Sequence, residues 1–121
     1  MEPSHRVLIV EDDYLLASDL ALRIENAGYG VIGPFPSVDQ ALNAIDGERP
    51  SVAILDVQLL DEKSYPVADR LVEIGVPFVF LTGYTKFDLP GHLQQRPILA
   101  KLADQSKLLD LLTDIVGVGN K

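Results

Sequence analysis

Short, uninterrupted apolar runs alternate along the chain with longer stretches in which apolar residues recur every three or four positions. That alternation is the pattern of repeated strand and helix units around a parallel sheet. Val7, Leu8, Ile9 and Val10 form the first run and stop at acid. Beyond Asp13, the spacing of Leu16, Leu20, Ile24 and Ala27 predicts a helix, which Gly28 ends. Gly30 to Gly33 reads as a short peripheral strand closed by Pro34 and Pro36, since proline cannot donate to a central ladder. Ser37 to Gln40 has the spacing of a capping box and predicts a second helix from there to about Gly47.

Ser51 to Leu55 is the next apolar run, and it too ends at an acid, Asp56. A polar loop through Lys63 leads to Ser64, expected to cap a third helix that tolerates Pro66 in its first turn and closes at Gly75. Phe78 to Leu81 is the fourth strand, with Thr82 at its end. The stretch from Thr85 to Arg96 has little periodicity, so it predicts a loop with at most a short helix. Pro97 to Ala100 makes the fifth strand, ending at Lys101, and Leu108, Leu112 and Ile115 mark the apolar face of a last helix.

Five strand–helix units fit 121 residues as one domain, 1–121, with its core over 6–116. The chain has no cysteine, which excludes disulfides, thiolate nucleophiles and cysteine-ligated zinc. Eighteen Asp and Glu against ten Lys and Arg give a net charge of -8, which repels phosphate backbones and argues against direct nucleic-acid binding. The N-terminal residues lack the basic start and apolar stretch of a signal peptide, and no apolar run reaches membrane-spanning length. The expectation is a cytoplasmic protein with no membrane partner.

In an open parallel sheet, ligands sit outside the carboxyl ends of the strands. Here those ends carry Glu11 and Asp12, Asp56, Thr82 and Lys101, so acids, a hydroxyl and an ammonium converge on one crevice. Taken singly each has an ordinary explanation: Asp56 as a turn residue, Thr82 as a turn hydroxyl, Lys101 as a solvated charge. Asp13 has its best explanation in the dipole of the first helix. Together the strand ends point to chemistry. Clustered carboxylates repel one another, and oxygen-only ligands select Mg²⁺ or Mn²⁺. Zinc would want histidine, and His5 and His92 lie outside the constellation, as solvated residues. With a cation in place a carboxylate can attack a phosphoryl donor and form an acyl phosphate, with Asp56 as nucleophile. Lys101 and Thr82 can stabilise phosphoryl oxygens, and Gly83 leaves room for them.

These residues, in this order, resemble the receiver domain of bacterial two-component response regulators over Arg6 to Val116. The resemblance implies a flavodoxin-like (βα)5 doubly wound α/β fold, with a five-stranded parallel sheet in the order 2-1-3-4-5. It implies that Asp56 is the phosphoacceptor and that Asp12, Asp56 and the backbone carbonyl of Gln58 ligate Mg²⁺, with Glu11 acting through water. Thr82 becomes the switch hydroxyl and Lys101 the phosphate-binding lysine. The donor is a histidine kinase or histidine phosphotransfer protein, the output a downstream protein, and the domain catalyses only its own phosphorylation and dephosphorylation. A single-domain regulator is the expectation, with strand five and helix five as a candidate homodimer surface.

Pro77 to Tyr84 is similar to the Pro-Phe-x-Phe-Ala-Thr-Gly-Tyr signature of an alphaproteobacterial receiver subgroup, with Leu81 in place of alanine. That similarity implies a short or poorly formed fourth helix and makes Tyr84 the candidate switch aromatic. Two positions depart from the wider family: Leu102 follows Lys101 where proline is usual, and Ile98 occupies the usual aromatic switch position. The alternatives are a degenerate receiver that binds partners without phosphorylation, or a Mg²⁺-dependent aspartyl phosphohydrolase. The second lacks its general acid, since Gln58 stands two residues after Asp56. A flavin carrier would need a Ser-, Thr- and Gly-rich loop where this chain has acids.

Overall fold

The apolar runs form strands and the periodic stretches form helices, in strict alternation. A computed structural model describes residues 5–82, 89–100 and 105–117. In chain order the elements are β1 (Arg6–Val10), α1 (Tyr14–Asn26), β2 (Gly30–Phe35), α2 (Val38–Gly47), β3 (Val52–Asp56), α3 (Tyr65–Glu73) and β4 (Phe78–Thr82). A 3₁₀ turn (Gly91–Leu93), β5 (Ile98–Ala100) and α4 (Gln105–Leu112) follow, and α4 runs on into a π turn at Thr113–Gly117. The strands pair in parallel in the order β2-β1-β3-β4-β5.

Burial on both sides explains why the central strands are apolar throughout: β3 and β4 are buried at every position. On one face Leu8, Val10, Ala53, Leu55, Phe78 and Phe80 pack against α2, α3 and Leu93 of the 3₁₀ turn. On the other, Val7, Ile9, Val52, Ile54, Val79 and Leu81 pack against Leu20 and Ile24 of α1 and Leu108 and Leu112 of α4. Between β4 and β5 the described residues carry only that 3₁₀ turn, in keeping with the weak periodicity there. Among the described residues no helix is long and apolar enough to cross a membrane.

Several boundaries differ from the sequence reading. β2 does not stop before Pro34 but continues to Phe35, because the register with β1 slips between Leu8–Ile32 and Val10–Phe35. The extra residue is absorbed as a bulge on an edge strand, where a missing N–H costs little. Gly33 makes the bulge possible: its φ is +103°, and a Cβ there would lie 2.9 Å from the Phe35 nitrogen and 3.1 Å from the Ile9 carbonyl oxygen.

In α1 the buried residues are Ala17, Leu20 and Ile24, whereas Ala27 is the exposed C-cap, one residue before Gly28 turns with φ +100°. Ser64 does not cap α3 with its side chain. Its φ and ψ are -82° and 6°, outside the extended region a side-chain cap requires, and its buried hydroxyl finds no hydrogen-bond partner among the described residues. The carbonyl of Ser64 instead accepts from Val67 and Ala68, at 2.9 and 3.2 Å.

Candidate functional site

The carboxyl ends of β1 and β3 bring the site together. Val10 is in register with Leu55, so the next residues, Glu11 and Asp56, emerge side by side. Glu11, Asp12 and Asp56 each offer a carboxylate oxygen, and the three oxygens lie within 4.8 Å of one another. Glu11 and Asp56 are buried, at 5% and 4% exposure, and Asp12 is half-buried at the opening.

Local hydrogen bonds fix the acid turn. The Glu11 amide donates to the Phe35 carbonyl at 3.0 Å, and the Asp13 amide donates to Glu11 Oε2 at 2.9 Å. Asp13 points elsewhere: its Oδ1 accepts from the Leu16 amide at 3.1 Å and caps α1, at the helix end where the dipole reading placed it. One oxygen of Glu11 is thus engaged by the turn itself, while Asp12 has no such tie to Asp13.

Residues 57–63, expected as a polar loop, form a tight hairpin instead. Gln58 bridges Lys63, flanked by Leu59 N–H to Glu62 O at 2.8 Å and Ser64 N–H to Val57 O at 2.9 Å. In a bridge of that kind the paired residues' own N–H and C=O groups face away from the partner strand. The Gln58 carbonyl is therefore not spent on the hairpin. Val57 and Leu59 are buried beneath it in the core. Glu62, which sequence reasoning passed over, accepts from the Val38 amide at 3.0 Å; its partner lies on a different element, so no local spacing could have flagged it.

Thr82 ends β4 one residue beyond the Asp56–Leu81 pair and stands opposite Ala100 of β5; it is 4% exposed. Gly83, Tyr84, Lys101 and Leu102 lie outside the described residues. Ile98 is 41% exposed at the free edge of β5. His92 lies away from the acids, with Nε2 at 2.6 Å from Asp69 of α3. A cavity of about 330 Å³ opens beside Asp12, walled by Pro36, Ser37, Leu60, Asp61 and Glu62.

An all-oxygen donor set of this size suits a hard divalent cation and suits zinc poorly. Acid pairs at the carboxyl ends of adjacent parallel strands, in a sheet ordered 2-1-3-4-5, define a signalling fold that comparison with known proteins identifies. The chain belongs to the response regulator receiver domain family, whose model matches residues 7–113. The chain is 36% identical over 89 residues to the phyllosphere-induced regulator PhyR of Methylorubrum extorquens, covering 71% of this chain and 33% of PhyR. It is 27% identical to the transcriptional regulatory protein PdtaR of Mycobacterium tuberculosis, covering 91% of this chain and 54% of PdtaR. The chain thus spans about a third to a half of these relatives.

Among solved structures, the solution structure of SdrG from Sphingomonas melonis is 33% identical, with a TM-score of 0.80 over 95% of this chain and 98% of that one. The BeF3-activated conformation of SdrG superposes with a TM-score of 0.74 over 93% of this chain and 98% of that one. The chain is therefore a receiver domain, a signalling part that in this family works with histidine kinases or phosphotransfer proteins.

Proposed function

We propose that Asp56 accepts a phosphoryl group from the phosphohistidine of a histidine kinase or phosphotransfer protein, and that the acyl phosphate switches this domain's affinity for a downstream protein. The observation that carries the reading is the convergence of Glu11, Asp12 and Asp56 within 4.8 Å. Asp12, Asp56 and the Gln58 carbonyl would hold Mg²⁺ or Mn²⁺, with Glu11 acting through water. A bound divalent cation supplies the neutralisation that lets an anionic phosphoryl group approach these acids.

The Asp56 carboxylate then attacks phosphorus: a P–O bond forms while the P–N bond to imidazole breaks, its electron pair returning to the ring. Burial holds Asp56 in one orientation and keeps bulk water from the reacting oxygen. Thr82 serves as the switch hydroxyl, with Gly83 leaving space and Lys101 binding phosphate by the family resemblance; Tyr84 is the switch aromatic. The unit that switches is one receiver domain, core 6–116. That a related chain, SdrG, has a solved BeF3-activated conformation supports the reading of an activatable receiver.

Incubation with acetyl phosphate and Mg²⁺ tests the reading. Mass spectrometry should show one phosphoryl adduct, absent without Mg²⁺ and absent in Asp56→Asn. An adduct that persists in Asp56→Asn would move the acceptor elsewhere, and a wild-type protein that never forms one would support the degenerate receiver.

A further inference from the structure

We infer that Glu62 is a positioning residue that sets the spacing between the carboxylates of β1 and β3, an inference that rests on the metal-dependent reading of the Asp56 site. The two strand ends are joined by the sheet below, and Glu62 joins them a second time from outside it.

The connection can be traced bond by bond. From Asp56 the chain runs through the hairpin to Glu62, whose Oε2 accepts from the Val38 amide at 3.0 Å. From Val38 it runs back through Ser37 and Pro36 to Phe35, whose carbonyl accepts from the Glu11 amide at 3.0 Å. Two hydrogen bonds and two short covalent segments, closed below by the β1–β3 pairing, therefore form a ring beside the acid cluster. Pro36, Ser37 and Glu62 of this ring, with Leu60 and Asp61 of the hairpin, wall the cavity beside Asp12.

Each joint in the ring has a physical reason to hold. Val38 opens α2, so its N–H is one of the donors an α-helix leaves unpaired, at the end where the helix dipole favours a negative charge. Ser37 Oγ already serves the Gln40 amide at 3.3 Å, so Glu62 supplies the second cap from a different element. On the hairpin side, Gln58 Nε2 donates to the carbonyls of Leu59 at 2.7 Å and Glu62 at 3.2 Å, closing the turn that carries the Gln58 carbonyl. Val57 and Leu59 pin its underside in the core. Releasing Glu62 removes the hairpin's hydrogen bond to α2 and with it a restraint on where the hairpin that carries the Gln58 carbonyl sits relative to the acids of β1.

Outer partners of this kind typically change metal affinity by about 10- to 100-fold. The test is an NMR titration of the full chain with Mg²⁺ alone. Glu62→Ala should weaken Mg²⁺ binding by roughly 10-fold while the remaining amide spectrum stays dispersed, and Glu62→Gln, which keeps an acceptor oxygen, should recover most of the affinity. Asp61→Ala removes the same charge from the neighbouring exposed position and should change affinity by less than about twofold.

In the wild type, the Val38 amide resonance should move with the same midpoint as those of Glu11 and Asp56, a readout that does not depend on any variant folding. A folded Glu62→Ala with wild-type affinity, an Asp61→Ala with the same loss, or a Val38 amide indifferent to Mg²⁺ would each overturn the assignment. A wild type that binds no Mg²⁺ would instead bring down the receiver-site reading, and this inference with it.

Discussion

The Phe35 carbonyl accepts a hydrogen bond from the Glu11 amide at 3.0 Å, so the last residue of the edge strand holds the first residue of the acid turn. Phe35 reaches that position only because the bulge at Gly33 advances β2 by one residue. Gly33→Ala puts a methyl group 2.9 Å from the Phe35 nitrogen at a φ of +103°. It should cost about 1–3 kcal/mol of stability in urea denaturation and weaken Mg²⁺ binding as well. A variant that loses stability with unchanged Mg²⁺ affinity would show that the turn keeps its shape without the bulge.

Three carboxylate oxygens within 4.8 Å repel one another in the cation-free protein. Asp12→Asn should therefore raise stability without divalent cations, by about 1 kcal/mol, and abolish the gain that Mg²⁺ gives the wild type. That gain should reach about 2.7 kcal/mol when Mg²⁺ is a hundred times its Kd. Thermal melts with and without Mg²⁺ measure both terms, and a fall in cation-free stability on Asp12→Asn would argue against net repulsion.

Asp13 stands beside the cluster and works apart from it, as the cap of α1. Asp13→Ala should cost about 0.5–2 kcal/mol in chemical denaturation while leaving Mg²⁺ affinity near that of the wild type. Loss of Mg²⁺ binding at this position would place Asp13 among the ligands.

The Ser64 hydroxyl is buried with no hydrogen-bond partner among the described residues and does not cap α3. Removing a buried, unsatisfied polar group relieves its desolvation cost, so Ser64→Ala should be neutral or stabilising, by up to about 1 kcal/mol. Destabilisation of that size in urea would reveal a partner for the hydroxyl in solution.

Leu93 and His92 hold the same 3₁₀ turn by different means. Leu93 is fully buried in the core, so Leu93→Ala should cost about 2–5 kcal/mol. His92 makes a 2.6 Å contact with Asp69, but both side chains are more than half exposed, and solvent screening holds such a pair to about 0.2–1 kcal/mol. Equal effects of Leu93→Ala and His92→Ala on equilibrium unfolding would contradict this ranking.

The strands and the acid cluster were legible in the sequence because both depend on local pattern, whereas the strand order came from the family resemblance. An apolar run ending in Asp56 reports a doubly covered strand and its carboxyl end at once, and the same holds for Val10 and Glu11. The bulge at Gly33, the failed cap at Ser64 and the Glu62–Val38 bond were not legible, for one shared reason. Pro34 predicts a break only if its neighbours cannot absorb it, Ser64 predicts a cap only if its backbone is extended, and Glu62 finds its partner across a gap that periodicity does not span. Each depends on what lies opposite in space.

The order β2-β1-β3 places a complete strand and two helices, α1, β2 and α2, in the chain between the two halves of the acid cluster. Glu11 meets Asp56 only after that excursion has closed and β3 has docked on β1. An unfinished chain that stops short of β3 carries two of the cluster's three acids and no site, and a chain whose central strands have parted carries none either. Readiness to receive a phosphoryl group is thus also a report of assembly: a partly folded molecule cannot offer half a signal.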